Sequence, residues 1–381
     1  MATIRDVAHA AGVSIATVSR VYNGNARVSD ATGEKVRSAA ALMNYWPNNA
    51  ARSLTTSRTH TLGVLLPDLY GDFFSEVIRG IDHAARRNNY QILVSSSHAN
   101  NDELLAAARA MRGRIDGLIA MAPDATSTAA IRQVAREYRV VLLNPLTEVE
   151  GCDAISIANY DGSYALVRHL LGLGHRRIAM VKGPAGNVDA EERLRGYRHA
   201  LRDGGVEPWE LYEIEGDFTE AAGYESASVL LGLESRPTAV FAANDYMAIG
   251  LLSALREADI SVPQGLAVTG FDNISIAQHV SPPLTTVHVA AYELGERAVS
   301  QWLETSRGGG GAGARRETLA TTLVVRRSCG SGEPSAIDVR TLRPRRRPLQ
   351  SSTLQSSTLQ SSTLQSSTLQ SSTMLGEHDN S

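Results

Sequence analysis

Cysteine is almost missing from this chain: Cys152 and Cys329 are the only two in 381 residues. Two thiols so far apart offer neither a disulfide framework nor the paired spacing of a zinc site, and they fit a reducing compartment. No apolar run approaches the roughly 20 residues that a membrane-spanning helix needs. The N-terminus lacks the apolar stretch of a secretory signal, so export is not expected and a cytoplasmic location is. Lysine is scarce too, with Lys35 and Lys182 standing against 35 arginines. What is present is 43% hydrophobic and 20% charged residues. That is enough for a sizeable core, in a chain longer than one typical domain.

The charge is unevenly placed. Residues 1–58 hold seven basic and three acidic side chains, a net of +4. Residues 329–381 hold five against four, and the stretch between them carries a net of −8. A small basic head on an acidic body implies contact with nucleic acid through the head alone.

In the head, Ile4, Val7, Ala8 and Ala11 fall at helical spacing, and Gly12 ends that helix. Ser14 suits the N-cap of a second helix over Ile15 to Tyr22, with Val18 and Val21 inward. Ser29 suits the cap of a third, whose apolar stripe is Val36, Ala39, Ala40 and Met43. Helix, glycine turn, short helix and third helix make a helix-turn-helix layout. From residue 62 to 328, short apolar runs alternate with amphipathic stretches. The runs are Gly63–Leu66, Gln91–Ser95, Gly117–Met121, Val140–Leu143, Ile178–Val181, Ala239–Ala242 and Leu266–Gly270. The helical patterns include Phe74–Arg87, Tyr164–Leu171, Glu192–Leu201 and Met247–Ala258. Such alternation predicts parallel sheets covered by helices on both faces, and the length predicts two lobes with a ligand between them. After Arg343 to Pro348 come four full copies of Ser-Ser-Thr-Leu-Gln over 351–370. A five-residue step turns each leucine about 140° from the last on a helix, so no stripe forms and the tail is expected to be disordered.

The ordered run Thr3-Ile4-Arg5-Asp6-Val7-Ala8, Ala11-Gly12-Val13-Ser14 and Ala16-Thr17-Val18-Ser19-Arg20-Val21 carries a strong likeness. So do Asn44-Tyr45-Trp46-Pro47-Asn48 and Ala51-Arg52-Ser53-Leu54, and in the body Arg193-Leu194-Arg195-Gly196-Tyr197, Asn244-Asp245 and Gly270-Phe271-Asp272-Asn273. On these the chain resembles the lactose-repressor (LacI/GalR) family of bacterial transcription regulators, over about 1–328. The resemblance implies a helix-turn-helix domain at 1–46, a hinge at 47–58, an effector-binding and dimerisation core at 59–328 with the two-lobed fold of periplasmic binding proteins, and a tail at 329–381. It implies a homodimer on a palindromic operator, a repressor as the expected sense of regulation, and an effector of the sugar type between the lobes. DNA contacts are expected from Ser14, Ile15, Ala16, Thr17, Ser19, Arg20 and Asn23, with Leu54 as a minor-groove wedge. Arg193 and Asp272 match the family's pocket arginine and aspartate, and Phe218 its stacking aromatic. Phe73, Asn144 and Asn244 are secondary candidates and Asp72 a weaker one. Asn187 departs from the arginine of the purine branch, which argues against a purine effector.

Two apparent motifs carry less. Gly308 to Gly313 satisfies a dinucleotide fingerprint formally but lacks a strand before it and a helix after it. His175-Arg176-Arg177 reads as a surface turn as readily as a phosphate site. No catalytic or metal-ligand set has usable spacing, so neither an enzyme nor a cofactor is expected. A sugar-transport binding component would share the body, and it would have no use for residues 1–54.

Overall fold

The computed structural model describes residues 2–22, 28–46, 58–122, 127–207, 210–307, 314–332 and 335–339. The expected contacts Asn23 and Leu54, most of the hinge, the glycine run and the repeats lie outside them.

The head forms the three helices its spacing implies: α1 (Ile4–Ala11), α2 (Ile15–Tyr22) and α3 (Asp30–Leu42). Thr3 and Asp6 make a reciprocal capping box on α1, and Gly12 closes it at φ 65°, a left-handed conformation that costs glycine nothing. Val7, Ala8, Val18, Val36, Ala39 and Ala40 make the small core. Met43 was expected in that stripe, but it sits past the end of α3 as its C-cap and is 37% exposed.

The body contains two parallel sheets. The first runs β2 (Gln91–Ser96), β1 (Thr61–Leu66), β3 (Gly117–Met121), β4 (Val140–Leu143), β5 (Asp153–Ile157) and β11 (Arg316–Leu319), all parallel. Its central strands β1, β3 and β4 are apolar on both faces. Leu62, Val64, Ile119, Met121, Val141 and Leu143 pack into one core. Alternate residues Leu65, Leu118, Ala120, Val140 and Leu142 pack into another. Helices α4 (Asp72–Arg87) and α11 (Ala291–Arg307) contribute to the first core through Val77, Ile81 and Trp302. Helices α5 (Asn101–Ala110) and α6 (Ser127–Ala135) contribute to the second through Leu104 and Ile131.

The second sheet runs β7 (Glu213–Ile214), β6 (Ile178–Val181), β8 (Ala239–Ala242) and β9 (Ala267–Thr269). Its helices are α7 (Asn159–Gly172), α8 (Val188–Asp203), α9 (Glu220–Gly232) and α10 (Asp245–Glu257). The chain enters this lobe after β5, leaves it through β10 (Thr286–His288) to build α11 and β11, and returns in β12 (Thr322–Val325). Strand β13 (Ser335–Asp338) then pairs antiparallel with β12, and Val339 is buried. The core therefore continues past residue 328, where its end was expected, with β13 pairing on the side of β12 opposite β10. His175-Arg176-Arg177 is a turn held by contacts to Thr238, Leu171 and Arg236.

Candidate functional site

Two surfaces answer to the candidate residues. In the head, Ser14 accepts the Thr17 backbone N–H at 3.1 Å, and its hydroxyl lies 2.9 Å from that of Thr17. Both side chains thus close the start of α2, in the Ser-x-x-Thr spacing of a helix cap. Ile15, Ala16 and Arg20 are exposed and Ser19 half-buried, while Val18 between them is buried. This face of α2 therefore carries two apolar groups, Ile15 and Ala16, in its first turn, with the half-buried Ser19 and the exposed Arg20 one turn further on.

The second surface is a cleft between the lobes, a cavity of about 200 Å³. Its lining takes Phe73 and Phe74 from the start of α4, and Arg193, Phe218, Asn244 and Asp272 from the second lobe. Arg193 is the organising group. It projects from α8 with 5% of its side chain exposed. Its Nε donates to Asn159 Oδ1 at 2.9 Å, Nη1 to the Ala243 carbonyl at 2.5 Å, and Nη2 to Asp272 Oδ1 at 3.0 Å. The guanidinium lies 3.9 Å over the Phe271 ring centroid and 5.7 Å from that of Phe218. Three of its five N–H groups thus have protein acceptors, and its charge is matched by one carboxylate.

Asp272 sits at φ 105°, a backbone state that only glycine and short polar residues adopt readily. Asp245 holds it there from below. The Asp245 carboxylate accepts the Ile274 N–H at 2.9 Å and the Thr286 hydroxyl at 2.6 Å, tying down the loop that carries Asp272. Burial pushes the Asp245 carboxyl up to about 8, with the neighbouring Asp272 adding to the rise. Burial likewise pushes Asp272 up to about 6, against the downward pull of Arg193.

The secondary candidates divide. Phe73 lines the cleft in edge contact with Phe74, 5.3 Å between centroids. Asn244 lines it as well, but its Oδ1 caps α10 through the Met247 N–H and its Nδ2 holds the Phe218 carbonyl. Asn144 does not line this cavity itself, but its side chain lies by the Asp189 carboxylate on the floor. It faces an adjoining cavity, and its Oδ1 accepts the Ile157 N–H at 2.8 Å, fixing the start of the crossover from β5. Asp72 bridges the lobes: its carboxylate accepts the Ser275 N–H at 3.0 Å and hydroxyl at 2.6 Å, while its own N–H donates to the Tyr246 hydroxyl. Asn187 is the N-cap of α8, accepting from the Asp189 and Ala190 N–H groups.

One buried acid escaped the reading of the sequence. Asp189 stands four residues before Arg193, on the same face of α8, and accepts Asn159 Nδ2 at 2.7 Å. Burial raises its pKa, opposed by Arg193. The four-residue spacing from a singled-out arginine was the signal available for it. Tyr70 and Tyr246, stacked 6.3 Å apart across the lobes at the cleft edge, had no such signal.

Comparison with known proteins meets both surfaces. The profile of bacterial regulatory proteins of the lacI family matches residues 3–48, and that of the periplasmic binding protein-like domain matches 167–329. The ribose operon repressor of Escherichia coli (strain K12) is 36% identical over 303 residues, covering 78% of this chain and 91% of that protein. Among solved structures, the lac repressor dimer bound to operator and the anti-inducer ONPF aligns with a TM-score of 0.77 at 30% identity, covering 87% of this chain and 99% of that one. A LacI family regulator from Enterococcus faecium with bound ribose aligns with a TM-score of 0.62 at 29% identity, covering 70% and 98%. A helix-turn-helix head, a two-lobed core and a full-length relative at this identity lead to one conclusion: the chain belongs to the lacI family of DNA-binding bacterial transcription regulators.

Proposed function

We propose that this protein is a cytoplasmic repressor that binds a palindromic operator as a homodimer and answers to a small polyhydroxylated effector, of the sugar type, held between its lobes. It acts by binding and not as an enzyme. Residues 1–46 form the DNA-reading head, 47–58 the hinge, and the core runs from 59 to 339. The observation that carries the effector reading is Arg193, buried in the inter-lobe cleft between Asp272 and the Phe218 and Phe271 rings. Arg193 can donate to ligand oxygens while Asp272 accepts from adjacent hydroxyls, and Phe73 and Phe218 cover the apolar face of a sugar ring. The cavity is smaller than the roughly 300–1,000 Å³ of drug-sized sites, which suits a compact ligand.

On DNA, the exposed Ile15, Ala16 and Arg20 and the half-buried Ser19 face the major groove, with Ile15 and Ala16 meeting thymine methyl groups. Arg20→Ala should weaken operator binding by about 1–3 kcal/mol, roughly 5- to 150-fold, if Arg20 reads a guanine. Fluorescence anisotropy on a palindromic operator and a scrambled duplex checks this. A loss equal on both duplexes assigns Arg20 to a phosphate, and no loss on either removes it from the interface.

Effector binding should also depend on pH. The folded carboxyl of Asp272 titrates near 6, above its ordinary value of 3.8. Its contribution to stability is therefore complete below about 3.8 and is lost as pH rises through about 6. The ionised form is the better acceptor for ligand hydroxyls. Affinity for the effector should accordingly fall as pH is lowered from 7 through about 6, as read by calorimetric titration.

A further inference from the structure

We infer that the cleft admits unphosphorylated effectors and excludes phosphate esters. This rests on the reading of the cleft as the effector site and adds the charge class of the ligand to it. Among the described residues five carboxylates line the cavity, Asp68, Asp189, Asp217, Glu220 and Asp272, against Arg193 as the one cation. That cation is already matched by Asp272 at 3.0 Å. Asp68 and Asp217 stand exposed at the mouth, each folded onto its own loop by accepting backbone N–H groups of the next residues. An incoming dianion therefore meets negative charge at the entrance and finds the lining arginine already paired on the floor.

The usual alternative to arginine for a phosphate is a helix N-terminus, where free N–H groups and the helix dipole face the anion. Among the described residues four helices begin at this cleft, and three of the starts are closed by a side-chain cap. Asn187 caps α8, Thr219 caps α9 and Asn244 caps α10 with their side-chain oxygens. At α4 the Asp72 N–H is taken by the Tyr246 hydroxyl. Each of the four also carries an acid in its first turn, Asp72, Asp189, Glu220 or Asp245. At three of the starts a side-chain cap takes N–H groups that a phosphate would need, and at the fourth the Tyr246 hydroxyl takes one. Removing Asp189 from this set leaves the mouth acids and the three side-chain caps in place.

The test is a thermal-shift screen of the full-length protein followed by calorimetry on every hit. The panel pairs free pentoses, hexoses and disaccharides with their phosphate monoesters, and uncharged purine bases with nucleoside monophosphates, with inorganic phosphate alone as a further probe. Stabilisation is expected only from uncharged members, with the phosphorylated partner of any hit binding at least about tenfold more weakly. The double substitution Asp68→Asn and Asp217→Asn keeps the loop-closing oxygens and should narrow that ratio. A purine-base hit without its nucleotide would overturn the polyol reading and leave the charge rule standing. A phosphorylated member that binds as tightly as its free partner overturns the inference whatever the ligand. A panel in which nothing stabilises the protein overturns the polyol reading and this inference with it.

Discussion

Asp272→Asn should abolish the effector response of operator binding while leaving effector-free binding close to that of the parent. The residue lies in the inter-lobe cleft, accepts one hydrogen bond from Arg193, and occupies φ 105°. Asparagine tolerates that backbone better than alanine, so the substitution removes charge without straining the loop. Hydrogen bonds to a charged group contribute about 1.5–3 kcal/mol each, so one lost ligand hydroxyl contact weakens binding roughly 10- to 150-fold. An effector shifts the lobe arrangement only by its difference in affinity for the two states, and most of that difference is made in the cleft. The measurement is operator affinity with and without the ligand found by screening. A variant responding at the parent's ligand concentration removes Asp272 from the pocket. A variant that loses operator binding without effector makes the Arg193–Asp272 pair a purely structural one.

How much of this could be read beforehand follows from distance along the chain. The strands over 117–121, 140–143, 178–181 and 239–242 appear where their apolar runs predicted, since both faces of a parallel sheet are buried. Strand β11 reads Arg-Glu-Thr-Leu, and β10, β12 and β13 are three or four residues long. The polar β11 and the short β10 and β13 present no apolar run, and these strands passed unnoticed, as did β12 with its brief Leu323 to Val325 run. Helix α9 is rich in alanine, serine and glycine, so its buried face, Gly223, Ser226, Ala227 and Leu230, has little hydropathic contrast with the exposed one. Within the site, Arg193, Phe218, Asp272 and Asn244 were accessible through the resemblance. Asp72 with Ser275 was not, because its partner is 203 residues away and neither residue type is unusual for its place. Asn144 was placed in the cleft by likeness alone. Its side-chain oxygen serves the backbone at the end of β5, a use no spacing reveals.

Gly80→Ala should destabilise the core, although helix propensity taken alone predicts a gain. In an exposed helix interior, alanine is favoured over glycine by about 1 kcal/mol. At Gly80 a Cβ would stand 2.0 Å from the Tyr292 carbonyl oxygen, and across the same crossing a Cβ on Gly295 would stand 2.2 Å from the Val77 carbonyl oxygen. The obstacle is backbone on both sides, so no rotamer change relieves it and α4 and α11 must separate. Overpacking typically costs 1–3 kcal/mol and more where nothing can yield, so a net loss of about 2 kcal/mol or more is expected, a fall in Tm of roughly 4–8 °C. Gly232→Ala, with no heavy atom within 4 Å of the new carbon, serves as the control and should be neutral or slightly stabilising. The consequence reaches the cleft because Asp72, Phe73 and Phe74 begin the helix that would be displaced. Effector affinity should therefore fall in Gly80→Ala at temperatures where the protein is still folded, and remain that of the parent in Gly232→Ala. Equal melting temperatures for Gly80→Ala and the parent would show that the two helices do not cross at this distance, and that α4 is positioned by the sheet beneath it.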